Sequence, residues 1–114
     1  MKIFTLFLIL LFVQPVFSST LILKVKKEIT SPDFSDLAEV RTRDYKEIRI
    51  SIKFTSNTRQ NALLNLYAVE DSETTLLDNA DFNGAYNKIL EIPPGKLKIQ
   101  VKGAGTYTVL VWAN

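Results

Sequence analysis

The chain has 114 residues, with 14 basic and 12 acidic side chains, no His and no Cys. Such a balance withholds the strong positive field that nucleic acid or an acidic membrane would call for. The missing residues exclude disulfides and the zinc and copper centres built on imidazole or thiolate, and they remove the commonest general base and the strongest nucleophile.

Met1–Ser18 reads MKIFTLFLILLFVQPVFS. Lys2 is a basic start, and Ile3–Val13 is an apolar run of about eleven residues, well short of the roughly 20 that span a bilayer as a helix. Pro15 ends helical structure, because it has no N–H and clashes with the preceding turn. Val16 and Ser18 are small enough to sit three and one residues before a cut. The layout is that of a secretory signal peptide cleaved after Ser18, and it predicts a secreted or periplasmic protein whose mature domain is residues 19–114. No Cys follows the apolar run, so a lipid-anchored form is excluded. Asn57 is followed by Thr58 and Arg59, so no Asn-x-Ser/Thr acceptor exists. Export without disulfides, lipid or glycosylation favours a bacterial source. Once Lys2 leaves, the domain is close to neutral, with no membrane span in it.

Downstream, period-two alternation dominates, the mark of a strand with one buried and one wet face. Leu21, Leu23 and Val25 alternate with Lys24 and Lys26. Asp33–Val40 has the makings of one helical turn capped by Asp33 or Ser35, and Glu39–Arg43 reads as a short strand. Ile48, Ile50, Ile52 and Phe54 point inward against Glu47, Arg49, Ser51 and Lys53. Leu63–Val69 is apolar on both faces except Asn65. Thr74–Asp78 and Asn87–Ile92 are further short strands. Leu97, Ile99 and Val101 alternate with Lys96, Lys98, Gln100 and Lys102. Thr106–Ala113 again looks apolar on both faces, which predicts structure packed on both sides of it, with Tyr107, Phe54 and Trp112 in the core. Turn signals separate these runs, among them Asn83-Gly84, Pro93-Pro94-Gly95 and Gly103-Ala104-Gly105. The sum is an all-β domain: a single antiparallel β-sandwich, jelly-roll-like, of seven or eight short strands, the last three forming a meander.

Three clusters could carry chemistry. Asp78-Asn79-Ala80-Asp81-Phe82-Asn83-Gly84 resembles the opening of a calcium loop, with Asp78, Asp81 and Asn83 as oxygen ligands. Yet Asn79 stands where an Asp belongs and Leu90 where a bidentate Glu belongs, so an Asx-rich turn is the simpler reading. Lys96, Lys98 and Lys102 share one strand face, with Lys88, Arg49 and Lys53 as potential neighbours; they form either an anion-binding patch or a solvated, edge-protecting face. Phe34, Tyr45, Phe82 and Tyr86 lie in or beside loops, where an aromatic either meets a ligand or caps the end of the sandwich. The best site is the loop end carrying Asp81, Phe82, Asn83 and Tyr86.

Tyr45-Lys46-Glu47-Ile48-Arg49-Ile50, Ile92-Pro93-Pro94-Gly95-Lys96-Leu97 and Gly103-Ala104-Gly105-Thr106-Tyr107-Thr108-Val109 are similar in layout to small bacterial exported β-sandwich domains resembling discoidin-type, galactose-binding-like jelly rolls. The likeness covers Tyr45 to Trp112 and implies binding of a ligand or partner through end loops; no ligand motif carries over. The chain is shorter than a typical discoidin domain and lacks a Cys pair joining its ends. The expectation is a non-catalytic binding or interaction module for a glycan or a cell-envelope protein, monomeric or weakly oligomeric, without cofactor. The alternatives are an assembly subunit of the envelope or of a surface fibre, and a small hydrolase run on carboxylates.

Overall fold

The structure is a computed structural model and describes residues 19–56 and 58–114. Met1–Ser18, expected from the sequence to be a signal peptide, lies outside the described residues. Eight strands follow in chain order: β1 (Thr20–Ile29), β2 (Ser35–Arg41), β3 (Ile48–Thr55), β4 (Ala62–Glu70), β5 (Glu73–Phe82), β6 (Ala85–Leu90), β7 (Lys96–Lys102) and β8 (Gly105–Ala113). They pair antiparallel in two four-stranded sheets, ordered β1-β8-β3-β6 and β2-β7-β4-β5. This is the strand order of an eight-stranded jelly roll, a sandwich of two interlocked Greek keys.

Alternation dictates the inner layer. Ile48, Ile50, Ile52 and Phe54 of β3, Leu64 and Leu66 of β4, Leu97, Ile99 and Val101 of β7, and Tyr107, Val109 and Val111 of β8 pack into one continuous core. Each aliphatic side chain buried there contributes about 1.5–3 kcal/mol. Tyr107 reaches from this layer to donate a hydrogen bond to the Gly103 carbonyl at 2.6 Å, and burial pushes its hydroxyl up to about 12. Thr42 is buried as well; its Oγ1 donates to the Pro94 carbonyl at 2.6 Å and ties the β2–β3 loop to the β6–β7 loop.

Several expectations need correction. Asp33–Val40 makes no helical turn: from Ser35 onward it is β2, whose Ala38 and Val40 pack on the core while Asp36 and Glu39 pair outward with Gln100 and Lys98. The last three strands are not a meander. β6 and β8 lie in one sheet with β3 between them, and β7 lies in the other. Pro93-Pro94-Gly95 and Gly103-Ala104 therefore carry the chain across the sandwich, and among the described residues the one hairpin within a sheet is β4–β5. At the start of β8 the backbone of Gly105 has φ +157°, and a Cβ there would collide with the Thr55 carbonyl oxygen. Glycine thus permits the close approach of the crossing chain to β3.

Two register shifts move side chains off their expected face. A bulge at Ile22 shifts β1, so Leu21 pairs with Trp112 on the outside and is 45% exposed. One extra residue flips the side chains beyond it. A second bulge, at Leu77, does the same to β5. Strand β6 ends at Leu90, and Ile92 is left fully in solvent ahead of the prolines.

Candidate functional site

Asp78 to Phe82 form the last half of β5, not a loop. That changes the setting of Asp81 and Phe82, and Tyr86 lies within β6. Phe82 is 7% exposed and Tyr86 is 8% exposed. Phe82 stacks edge-on against Phe54 with ring centres 6.1 Å apart and lies 5.9 Å from Tyr86, while Phe54 lies 4.7 Å from Tyr107. The four rings plug one end of the sandwich. Neither Phe82 nor Tyr86 offers a ring face to a ligand, because the core takes them first. Asn83 is exposed in the β5–β6 turn, and Asp81 points outward, where its Oδ1 accepts a bond from Asn61 Nδ2 at 2.7 Å.

The calcium arrangement fails on strand geometry. Asp78 pairs with the buried Leu66 and turns toward the interior, whereas Asp81 pairs with the exposed Leu63 and turns out. Residues three apart on a strand face opposite sides, so Asp78 and Asp81 do not converge on one ion. Asp78 has other work. Tyr86 Oη donates to its Oδ2 at 2.6 Å, Lys88 Nζ lies 3.8 Å from the same oxygen, and the Asn79 N–H bonds its Oδ1 at 2.9 Å. The Tyr86 bond, chiefly, holds the Asp78 carboxyl below its ordinary range, against the opposing effect of partial burial, with Asn79 and Lys88 assisting. Burial first, then the hydrogen bond to Asp78, and last the Asp78 charge push the Tyr86 hydroxyl well up. This trio seals the side of the sandwich between edge strands β5 and β6. Among the described residues no group of three or more acids could hold a metal ion.

Lys96, Lys98 and Lys102 do share the outer face of β7, but acids balance two of them. Lys96 Nζ is 3.6 Å from Glu39, and Lys98 Nζ is 3.8 Å from Asp36. Lys102 sits 5.9 Å over the Phe34 ring. Lys88, Arg49 and Lys53 belong to the other sheet and do not join them. Between the lysines runs a row of amides and acids: Gln100 Nε2 donates to Asp36 Oδ1 at 2.8 Å, and Asn79 Nδ2 donates to Asn65 Oδ1 at 2.7 Å.

The more distinctive surface is the outer face of the β1-β8-β3-β6 sheet. Cross-strand register places Leu21, Trp112, Arg49 and Ile89 in one transverse row. The next row is Lys24, Leu110, Ser51 and Asn87; the third is Lys26, Thr108, Lys53 and Ala85. Trp112 is thus not a core residue. It lies opposite Tyr107, Val109 and Val111, is partly exposed, and with Arg49, Ser51, Asn87 and Ile89 lines a shallow depression of about 230 Å³. Among the described residues no third layer covers this face; Leu110 and Trp112 are half-buried by their neighbours within the sheet. Arg49 keeps one long ion pair, Nε to Glu47 Oε1 at 3.9 Å, with much of its side chain in solvent. A pair of that length and exposure holds the guanidinium weakly.

Sequence reasoning missed this face because a run apolar on both sides hides which parity is buried. The usable signal was Arg49, Ser51 and Lys53 alternating on β3, but their alignment with Trp112 and Leu110 follows only from the pairing of β3 with β8. No family model matches the chain, and no curated protein matches it in sequence.

Proposed function

We propose that the chain is an exported, non-catalytic binding module that holds a glycan on the outer face of the β1-β8-β3-β6 sheet. One observation carries the reading: Trp112, the single Trp of the sequence, lies partly exposed in a depression beside Arg49, Ser51, Asn87 and Ile89. An indole presents a flat apolar face with little conformational entropy to lose. A guanidinium, a hydroxyl and an amide around it supply directional donors and acceptors, which suits a sugar ring with one apolar face and a polar rim. The depression is smaller than the roughly 300–1,000 Å³ of enclosed small-molecule pockets. It favours one ring laid on a surface over a substrate engulfed for chemistry. Export rests on Met1–Ser18, and the bacterial assignment on its combination with a chain free of Cys.

Because Trp112 is the only Trp, its fluorescence reports on this face alone. Titration of the purified chain with a panel of neutral and acidic oligo- and polysaccharides is expected to give a saturable emission change with some members, removed by Arg49→Ala or Asn87→Ala. A panel that leaves Trp112 emission unchanged refutes the reading.

The assembly alternative has its own observation. Edge strand β5 exposes Leu76 (51%) and Leu77 (39%) around its bulge, and exposed apolar edges invite pairing with another chain. Self-association that Leu76→Lys abolishes, with Trp112 silent to glycans, would favour it over the binding module.

A further inference from the structure

The same face carries an unbalanced charge pattern that narrows the ligand. Its outward side chains include Lys24 and Lys26 on β1, and Arg49 and Lys53 on β3; the acids are Glu28 on β1 and Glu47 just before β3. Strand β8 lies between these two strands and contains no charged residue; its outward side chains are Thr106, Thr108, Leu110 and Trp112. Register fixes the arrangement. Lys26 and Lys53 both flank Thr108, and Lys24 flanks Leu110 from the side opposite Ser51. Strands lie about 4.8 Å apart, so the two cationic rows run roughly 10 Å apart along a neutral floor. The floor ends at the Trp112 platform.

The other sheet shows that this is not the general state of the surface. There Lys96 and Lys98 are each matched by an acid at 3.6 and 3.8 Å. On β1 and β3 the cations outnumber the acids, and the acids gather at the ends: Glu28 beside Thr106, and Glu47 beside Arg49. Two cationic rows over a low-charge floor attract a linear polyanion and fix its direction. A nucleic acid would call for several stacking rings for successive bases. Here Trp112 is the one aromatic on the face among the described residues, which suits a polymer whose rings are saturated sugars.

We infer that the face binds an acidic polysaccharide, a chain of carboxylate-bearing pyranose rings that lies along β8 between Lys24 and Lys26 on one side and Arg49 and Lys53 on the other, with one ring on Trp112. This rests on the glycan reading above and names its ligand class. Arg49 is the residue suited to a carboxylate, because a guanidinium can meet both oxygens in a planar fork. The lysines act as point charges along the chain.

The test uses the full chain, Trp112 fluorescence and four probes: polygalacturonate, neutral dextran, a single-stranded DNA oligonucleotide matched in charge, and a panel of neutral oligosaccharides. Polygalacturonate is expected to shift Trp112 emission saturably, with an affinity that falls as salt rises. The pair Lys24→Gln and Lys53→Gln is expected to weaken it about tenfold, while Lys96→Gln with Lys98→Gln on the other sheet changes it less than about twofold. Circular dichroism of both pairs verifies folding, which removal of exposed lysines leaves intact. Equal affinity for dextran and polygalacturonate overturns the acidic class and leaves the glycan reading standing. Tighter binding of the oligonucleotide overturns the polymer class. Sensitivity to Lys96 and Lys98 in place of Lys24 and Lys53 overturns the location. Silence toward polygalacturonate with a response to neutral oligosaccharides overturns this inference alone, and silence toward all four overturns the glycan reading with it.

Discussion

The two outer faces of the sandwich are made from four strands each and from similar residues, yet they have settled their polar groups in opposite ways. On the β2-β7-β4-β5 sheet, Asp36 serves Gln100 and Lys98, Glu39 serves Lys96, and Asn65 accepts from Asn79. On the β1-β8-β3-β6 sheet, Lys24, Lys26, Arg49 and Lys53 frame a strip with no charge of its own, and Trp112 and Leu110 lie partly open to solvent. A strand rich in lysine therefore need not make a basic surface. The residues that register brings beside it decide the field: β1 and β7 carry three lysines each, and two of those on β7 meet acids.

The comparison breaks most visibly if the open face is really a second core. In that case its apolar side chains would matter for stability as inner ones do. Ile52 is wholly buried between Val109 and Tyr86, and Ile52→Ala is expected to cost about 3–4 kcal/mol. Leu110→Ala, one residue away from Val109 but turned outward, is expected to cost less than about 1 kcal/mol. Urea unfolding of the two variants checks both values. A Leu110 cost close to that of Ile52 would mean that something covers the strip, and the binding reading would lose its surface.

The next effect belongs to neither face but to the side where they meet. Removing the charge-assisted bond between Tyr86 and Asp78 with Tyr86→Phe is expected to cost about 1.5–2 kcal/mol at neutral pH. The folded pKa of Asp78 lies below its unfolded value. The stability it supplies is thus complete above the ordinary carboxylate range, near about 3.9, and is lost as pH falls through the depressed folded value. The gap between wild type and Tyr86→Phe should be full at pH 7 and shrink in acid, as followed by urea midpoints across the range. A gap that is unchanged by acid would show that the hydroxyl serves packing and not the carboxylate.

These effects also show what was legible in advance. The two-sheet architecture and the inner faces of β3 and β7 followed from alternation, because a half-buried strand writes its burial into every second residue. Trp112 was misplaced for the converse reason: in Thr106–Ala113 both parities are apolar, so the pattern is silent about which one is inside. Phe82 and Tyr86 looked like loop aromatics because Asp78-Asn79-Ala80-Asp81 is rich in turn formers. Pairing with β4 overrode that local preference and drew both rings into the end of the core. Turn chemistry at Pro93-Pro94-Gly95 and Gly103-Ala104 announced reversals correctly, but a reversal within a sheet and a crossing between sheets use the same residues. The strip on β8 depends on three register relationships at once, and none of them is local in sequence.

The smaller predictions concern the face that has balanced itself. Asn65→Ala removes the acceptor of Asn79 in the middle of the amide row, with an expected cost of about 0.5–1 kcal/mol and no change in the response of Trp112 to glycans. The smallest effect is that of Lys96→Gln. It opens the exposed pair with Glu39, and such pairs contribute little, since both long side chains lose freedom and water screens the attraction. Its cost should stay within about 0.5 kcal/mol. What it changes is the local charge balance, because Glu39 loses the cation nearest it while Asp36 still holds Lys98. If the lysines of β7 serve only to neutralise their acidic neighbours, Lys96→Gln should leave polygalacturonate binding unaltered within about twofold and should behave additively with Lys53→Gln. Coupling between the two substitutions would mean that one ligand reaches both faces around an edge, and the distinction between an open face and a balanced one would fail.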